Sequence, residues 1–205
     1  MHLNCAYIQQ DDILTEMLTV CENIDFSINV RTNVNPELTK HVRNQVINQL
    51  GLSKCKNHLI GGILSRGISG GERKRTAIAM ELAIDQSLMF LDEPTTGLDS
   101  NTSFIVVKLL RDLGRGDFGG RKKTIIISIH QPRSSIWELL DNVILMWNGG
   151  VLYQGTREES LVWLEAQGFK CPQYENPADH IMDVLQGGFA KISRKWLKKI
   201  QNDLK

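Results

Sequence analysis

Leu88-Met89-Phe90-Leu91-Asp92-Glu93 is the stretch that decides the fold of this chain. Four consecutive apolar residues followed by two acids predict a short strand buried at the centre of a parallel sheet. Strands of that kind present ligands at their C-terminal ends, where the two carboxylates emerge. Phosphoryl transfer from ATP needs Mg2+ to neutralise the β- and γ-oxygens and a group that orients the attacking water. Asp92 is the candidate metal ligand, and Glu93 the candidate catalytic group acting on the water. A strand that merely ends in an acidic turn or cap would carry the same six residues.

On the N-terminal side stands Ile68-Ser69-Gly70-Gly71-Glu72-Arg73-Lys74-Arg75. Two glycines let backbone N–H groups approach an anion closely, and the helix predicted from Gly67–Gly71 to about Ile84 adds its positive end. Ser69 offers a hydroxyl donor. The same residues also spell a capping box, Ser69-x-x-Glu72, with Arg73 to Arg75 as a solvated helix face. Further upstream, Met1 to Ile8 reads as a short strand, and apolar residues from Ile13 to Ile28 recur at roughly helical spacing. Asn35-Pro36-Glu37 predicts a helix start, with Val42, Val46, Ile47 and Leu50 on one face and Gly51 as its end.

On the C-terminal side, a helix is predicted over Ser100 to Leu113 and a strand over Thr124 to Ile129, ending at His130. A histidine there could donate to a γ-phosphate or to the attacking water, or be structural or simply exposed. A helix near Ser135 to Leu140, a strand Val143 to Met146, a turn at Asn148-Gly149-Gly150 and a strand Val151 to Gln154 follow. The alternation of strands and helices predicts an α/β fold with a parallel sheet.

Composition excludes several classes. The 205 residues are 41% apolar and 23% charged with a formal net charge of +1, so no nucleic-acid partner is expected. Cys5, Cys21, Cys55 and Cys171 stand far apart with no metal-ligand spacing. No apolar run approaches the roughly 18 residues that span a bilayer, and the N-terminus has no secretory pattern. Taken alone, the chain reads as a soluble cytosolic polypeptide. Gly114-Arg115-Gly116-Asp117-Phe118-Gly119 has dinucleotide-loop spacing but follows a helix and precedes a strand, the reverse of what such a site requires. Asn101-Thr102-Ser103 has the glycosylation pattern but falls in a predicted helix.

Together, the order Ser69-Gly70-Gly71-Glu72, Asp92-Glu93, Gly97-Leu98-Asp99 and His130 resembles the signature, Walker B, D-loop and H-loop of the ATP-binding cassette (ABC) ATPases. Tyr7-Ile8-Gln9-Gln10-Asp11-Asp12 resembles their Q-loop. Ile68 to Thr76, Asp92 to Ser100, Ser128 to Arg133 and Asn176-Pro177-Ala178-Asp179 resemble the G subfamily, half-transporters of the eye-pigment-precursor type. The resemblance implies part of a P-loop NTPase sheet with a helical subdomain, binding ATP and Mg2+. Gln10 and Asp92 would ligate the metal, Glu93 and His130 act in catalysis, and Gln10, Ser69, Gly70, Gly71, Glu72 and Asp99 bind nucleotide.

The implied organisation is the end of the Q-loop strand and the helical subdomain over 1–60, the C-terminal part of the ATPase core over 61–187, and a basic helical tail over 188–205 leading toward a membrane domain. Implied partners are a second half-transporter subunit, identical or different, and that membrane domain, on the cytosolic face of a membrane. The sequence contains no Gly-Lys pair and hence no G-x-x-x-x-G-K-[ST], so we expect these residues alone not to hydrolyse ATP, as in a piece of a longer frame. A soluble ABC ATPase and a non-enzymatic module lending its signature face are the competing expectations.

Overall fold

The apolar stretch Leu88–Leu91 is the middle strand of a three-stranded parallel sheet. In the computed structural model, which describes residues 5–62, 66–117 and 121–188, strands β1 (Cys5–Ile8), β2 (Leu88–Leu91) and β3 (Thr124–Ile127) lie in that order. Cys5 pairs with Leu88 and Leu88 with Thr124, so Ile8, Leu91 and Ile127 end level. The ladder runs one step further: Asp92 N–H donates to the Ile8 carbonyl at 2.9 Å, and Ser128 N–H to the Leu91 carbonyl at 3.0 Å. The backbone carrying the first acid is therefore tied into the sheet.

Helices α1 (Val20–Arg31), α2 (Pro36–Gln49), α3 (Gly70–Leu82) and α4 (Ser100–Arg115) complete this part of the chain. Ala6, Ile8, Met89 and Leu91 share one buried core with Ile24, Val46, Ile78 and Val106 from the four helices. The opposite sheet face carries Tyr7, 57% exposed, and Ile126, 42% exposed. Helix α2 starts as expected, with the Asn35 side chain accepting from Leu38 N–H at 2.8 Å and Pro36 at the first position.

Residues Ile13 to Leu18 do not extend α1, despite their spacing. Thr19 caps the helix in a reciprocal box with Glu22. Buried Asn23 accepts from Thr15 N–H and donates to the Thr15 and Thr19 carbonyls, folding the preceding segment into a turn. Side-chain bonds to the backbone outcompete helical periodicity here, leaving Ile13 and Met17 exposed.

The backbone divides into two compact units, Met1–His130 and Gln131–Lys205. The second holds α5 (Ser134–Trp137), β4 (Asn142–Trp147), β5 (Gly150–Thr156), α6 (Arg157–Ala166), α7 (Pro177–Asp183) and a π-helical turn, Val184–Gly188. β4 and β5 pair with each other in antiparallel fashion, apart from the parallel sheet. Asn148 and Gly149 join them with φ of 48° and 77°, the positive values of a two-residue hairpin turn. Trp137, Val143, Leu164 and Ile181 belong to a separate core. The expected basic tail, apart from residue 188, lies outside the described residues.

Candidate functional site

The C-terminal edge of the sheet gathers a network around the two acids. Ser128, the residue after β3, lies beside Asp92 because β2 and β3 run in register. Its hydroxyl donates to Asp92 Oδ1 at 2.6 Å and accepts from Glu93 N–H at 2.8 Å. Tyr7 from β1 places its hydroxyl 3.5 Å from Asp92 Oδ2. Glu93 turns the chain out of the sheet at φ 40°, a left-handed conformation that costs a non-glycine residue about 1–3 kcal/mol and is common at functional sites. Its carboxylate Oε2 accepts from Gln10 Nε2 at 3.0 Å and from Thr96 Oγ1 at 2.7 Å.

These residues fit a hard divalent cation. The Gln10 amide donates through its nitrogen and, among the described residues, leaves Oε1 free to ligate, while Asp92 Oδ2 has only the long Tyr7 contact there. Among the described residues no three His, Cys, Asp or Glu side chains lie close enough to form a cage. A cation bound here would take the rest of its shell from water and substrate oxygens, the habit of Mg2+.

The start of α3 forms the full capping box. Ser69 N–H and hydroxyl both donate to Glu72 Oε2 at 2.8 Å, and Glu72 N–H donates to Ser69 Oγ at 3.3 Å. Burial raises the Glu72 pKa, but bonds from Ser69 and Cys55 and the charge of Arg75 outweigh it and hold the carboxyl low. The two glycines differ. Gly70 is exposed, whereas Gly71 is buried, and a Cβ built on it would stand 2.2 Å from Thr102 Cγ2 of α4. Asp99 caps α4, accepting from the N–H groups of Asn101 and Thr102 at 2.9 and 3.0 Å. The Thr102 hydroxyl also bonds it and is the chief cause of its lowered pKa.

A cleft of about 320 Å³ separates the segment after β1 from the starts of α3 and α4, lined by Gln10, Asp12, Gly70, Lys74, Thr96 and Gly97. The structure thus bonds Gln10 to Glu93, links Glu93 to Asp92 through Ser128, and sets Gly70 on the same cleft as Gln10. His130 lies three residues beyond the end of β3, exposed and without a hydrogen-bond partner among the described residues. Tyr7, Thr96 and Ser128 are site residues that sequence reasoning missed; the in-register pairing of parallel strands was the signal available for Ser128. Lys74 is corrected: it is not part of a solvated face but 3% exposed.

Comparison with known proteins places the geometry. Residues 1–96 match the ABC transporter family, and residues 130–202 match the ABC-2 type transporter family. The broad substrate specificity ATP-binding cassette transporter ABCG2 of Bos taurus is 45% identical over 192 residues, covering 92% of this chain and 28% of that protein. The chain belongs to the ABC transporter family, in its G subfamily. The ABC transporter G family member 13 of Arabidopsis thaliana is 37% identical over 190 residues, with 92% and 27% covered. The chain therefore spans little more than a quarter of the length of these two relatives. Among solved structures, cbiO1 from Clostridium perfringens, part of the ABC transporter complex cbiONQ, superposes with a TM-score of 0.64 at 26% identity, covering 81% of this chain and 61% of that one. The fold is that of an ABC ATPase, a family of nucleotide-binding proteins. No helix among the described residues is long and apolar enough to cross a membrane.

Proposed function

We propose that residues 1–205 belong to the ATP-binding and ATP-hydrolysing part of an ABC half-transporter that drives export of a lipophilic substrate, a sterol, lipid or xenobiotic, and do not hydrolyse ATP by themselves. The chain would pair with a second half-transporter subunit, of the same or another kind, and act on a membrane domain from the cytosolic face. The observation that carries the reading is the continuous bond network from Gln10 through Glu93 and Ser128 to Asp92.

In this reading Glu93 accepts a hydrogen bond from the attacking water and takes its proton, while Gln10 and Thr96 fix which carboxylate oxygen faces the site. Ser128 aims the Asp92 carboxylate, and Asp92 with Gln10 Oε1 would hold Mg2+, which would offset charge on the phosphate oxygens. His130 donates to the γ-phosphate. Ser69 and the N–H groups of Gly70 and Gly71 face phosphate held by the partner subunit, with Glu72 and Asp99 shaping that face.

The residues contain no Gly-Lys pair, so the test places 1–205 behind the phosphate-loop segment of the cattle relative. Magnesium-dependent phosphate release is expected from this hybrid. Glu93→Gln should lower it by about a hundredfold or more with ATP binding retained; unchanged turnover would sink the assignment. The missing Gly-Lys pair also favours a second reading, in which the chain lends only its α3 face to a complete subunit. ATP-dependent association with such a subunit, with no turnover from the hybrid, would select it.

A further inference from the structure

Lys74 stands one turn into α3, close to the helix end that repels cations, and its side chain is 3% exposed. A buried ammonium persists only where partners replace its water. Among the described residues, every partner comes from the segment leaving β1. Lys74 Nζ donates to the Gln10 carbonyl at 2.9 Å and to the Gln9 carbonyl at 3.4 Å. Asp12 Oδ1 lies 2.7 Å away, near enough to pair with the charge but outside the angles of a hydrogen bond. Gln10 is consequently gripped at both ends, its carbonyl by Lys74 and its side-chain amide by Glu93. The neighbouring cation Arg73 binds elsewhere, donating to the Gly61 carbonyl at 2.6 Å.

We infer that Lys74 is a positioning residue that ties the start of α3 to Gln10, so that a displacement of α3 is passed to the Glu93 carboxylate through one residue. A lysine suits the task because its rotatable donors can meet two carbonyls of one segment while its charge faces the Asp12 carboxylate. The consequence for turnover rests on the ATPase reading above; the positional claim does not. A ligand phosphate arriving at the α3 N-terminus would then reach the water-orienting group without touching it.

The test compares Lys74→Met, which keeps the stem and removes the charge, with Lys74→Arg and Arg73→Met. In the 205-residue chain without nucleotide, the side-chain amide resonance of Gln10 is followed by 15N NMR, assigned with Gln10→Ala. Lys74→Met should move it to the position of a free glutamine, while Lys74→Arg and Arg73→Met leave it in place. In the hybrid, Lys74→Met should lower kcat about tenfold with KM for ATP within about twofold, and Lys74→Arg should restore most of it. An unmoved Gln10 resonance in Lys74→Met overturns the inference. So does an equal shift in Arg73→Met, which would mean general loosening of α3. If the unsubstituted hybrid shows no turnover, the ATPase reading fails while the resonance still decides the role of Lys74.

Discussion

Cys55 illustrates how far a single side chain is set by its neighbours. The thiol is 3% exposed, and burial, then the Glu72 carboxylate, push its pKa up to about 11 from an ordinary 9.0. Because the folded value is the higher one, this group stabilises the fold fully below pH 9, and the contribution fades as pH climbs toward 11. Only the thiolate is nucleophilic, so Cys55 should resist a short iodoacetamide pulse at pH 8 while exposed Cys5 is labelled. Peptide mass spectrometry should find Cys55 alkylated only after denaturation. Equal labelling of the two in the native protein would contradict the buried placement. At this scale much of the site was hidden from sequence. Asp92 and Glu93 could be read because an apolar strand ending in acids is a local pattern. Ser128 and Lys74 depend on strand register and on packing between distant segments, which no local pattern encodes.

Among the elements, the junction of α3 and α4 separates two adjacent glycines by function. Gly71→Ala drives a methyl into Thr102 and should destabilise by about 1–3 kcal/mol, seen as a lower midpoint in urea. Gly70→Ala meets only Leu98 Cδ2 at 3.5 Å and should leave the midpoint nearly unchanged. Gly70→Asp should fold too, yet block ATP-dependent dimerisation in the hybrid by setting a carboxylate against phosphate. Dimers of Gly70→Asp at the same ATP concentration would leave the capping box as the whole role of this turn. Element types were legible where caps and periodicity agreed, as in α2 and β2. They were not where competition was tertiary or the segment short. The β4–β5 hairpin was announced by the turn at Asn148-Gly149-Gly150, but α6, though Thr156 caps it through Glu159 N–H, is too short for periodicity to announce.

At the scale of the molecule, helices pack on the sheet face of Ala6 and Met89, whereas Tyr7 and Ile126 on the other face are exposed among the described residues. Parallel sheets ordinarily bury both faces, and exposed apolar residues on a sheet face invite association. The 205-residue chain should therefore self-associate at micromolar concentration, and Ile126→Thr should reduce this in light scattering while leaving the far-UV spectrum intact. A strictly monomeric unsubstituted chain would refute that reading. The same sheet also orders events in time. β1 is made well before its partner β2, so Cys5 must wait for Leu88, and Leu88 for Thr124. Such distant closures are slow because loop entropy is lost before any contact repays it. The neighbouring helices α1 and α2 can meet while the remainder is still being synthesised. Assembly of this candidate site is thus left to β3, and a chain stalled before Thr124 on the ribosome would hold both acids without the serine that bonds them.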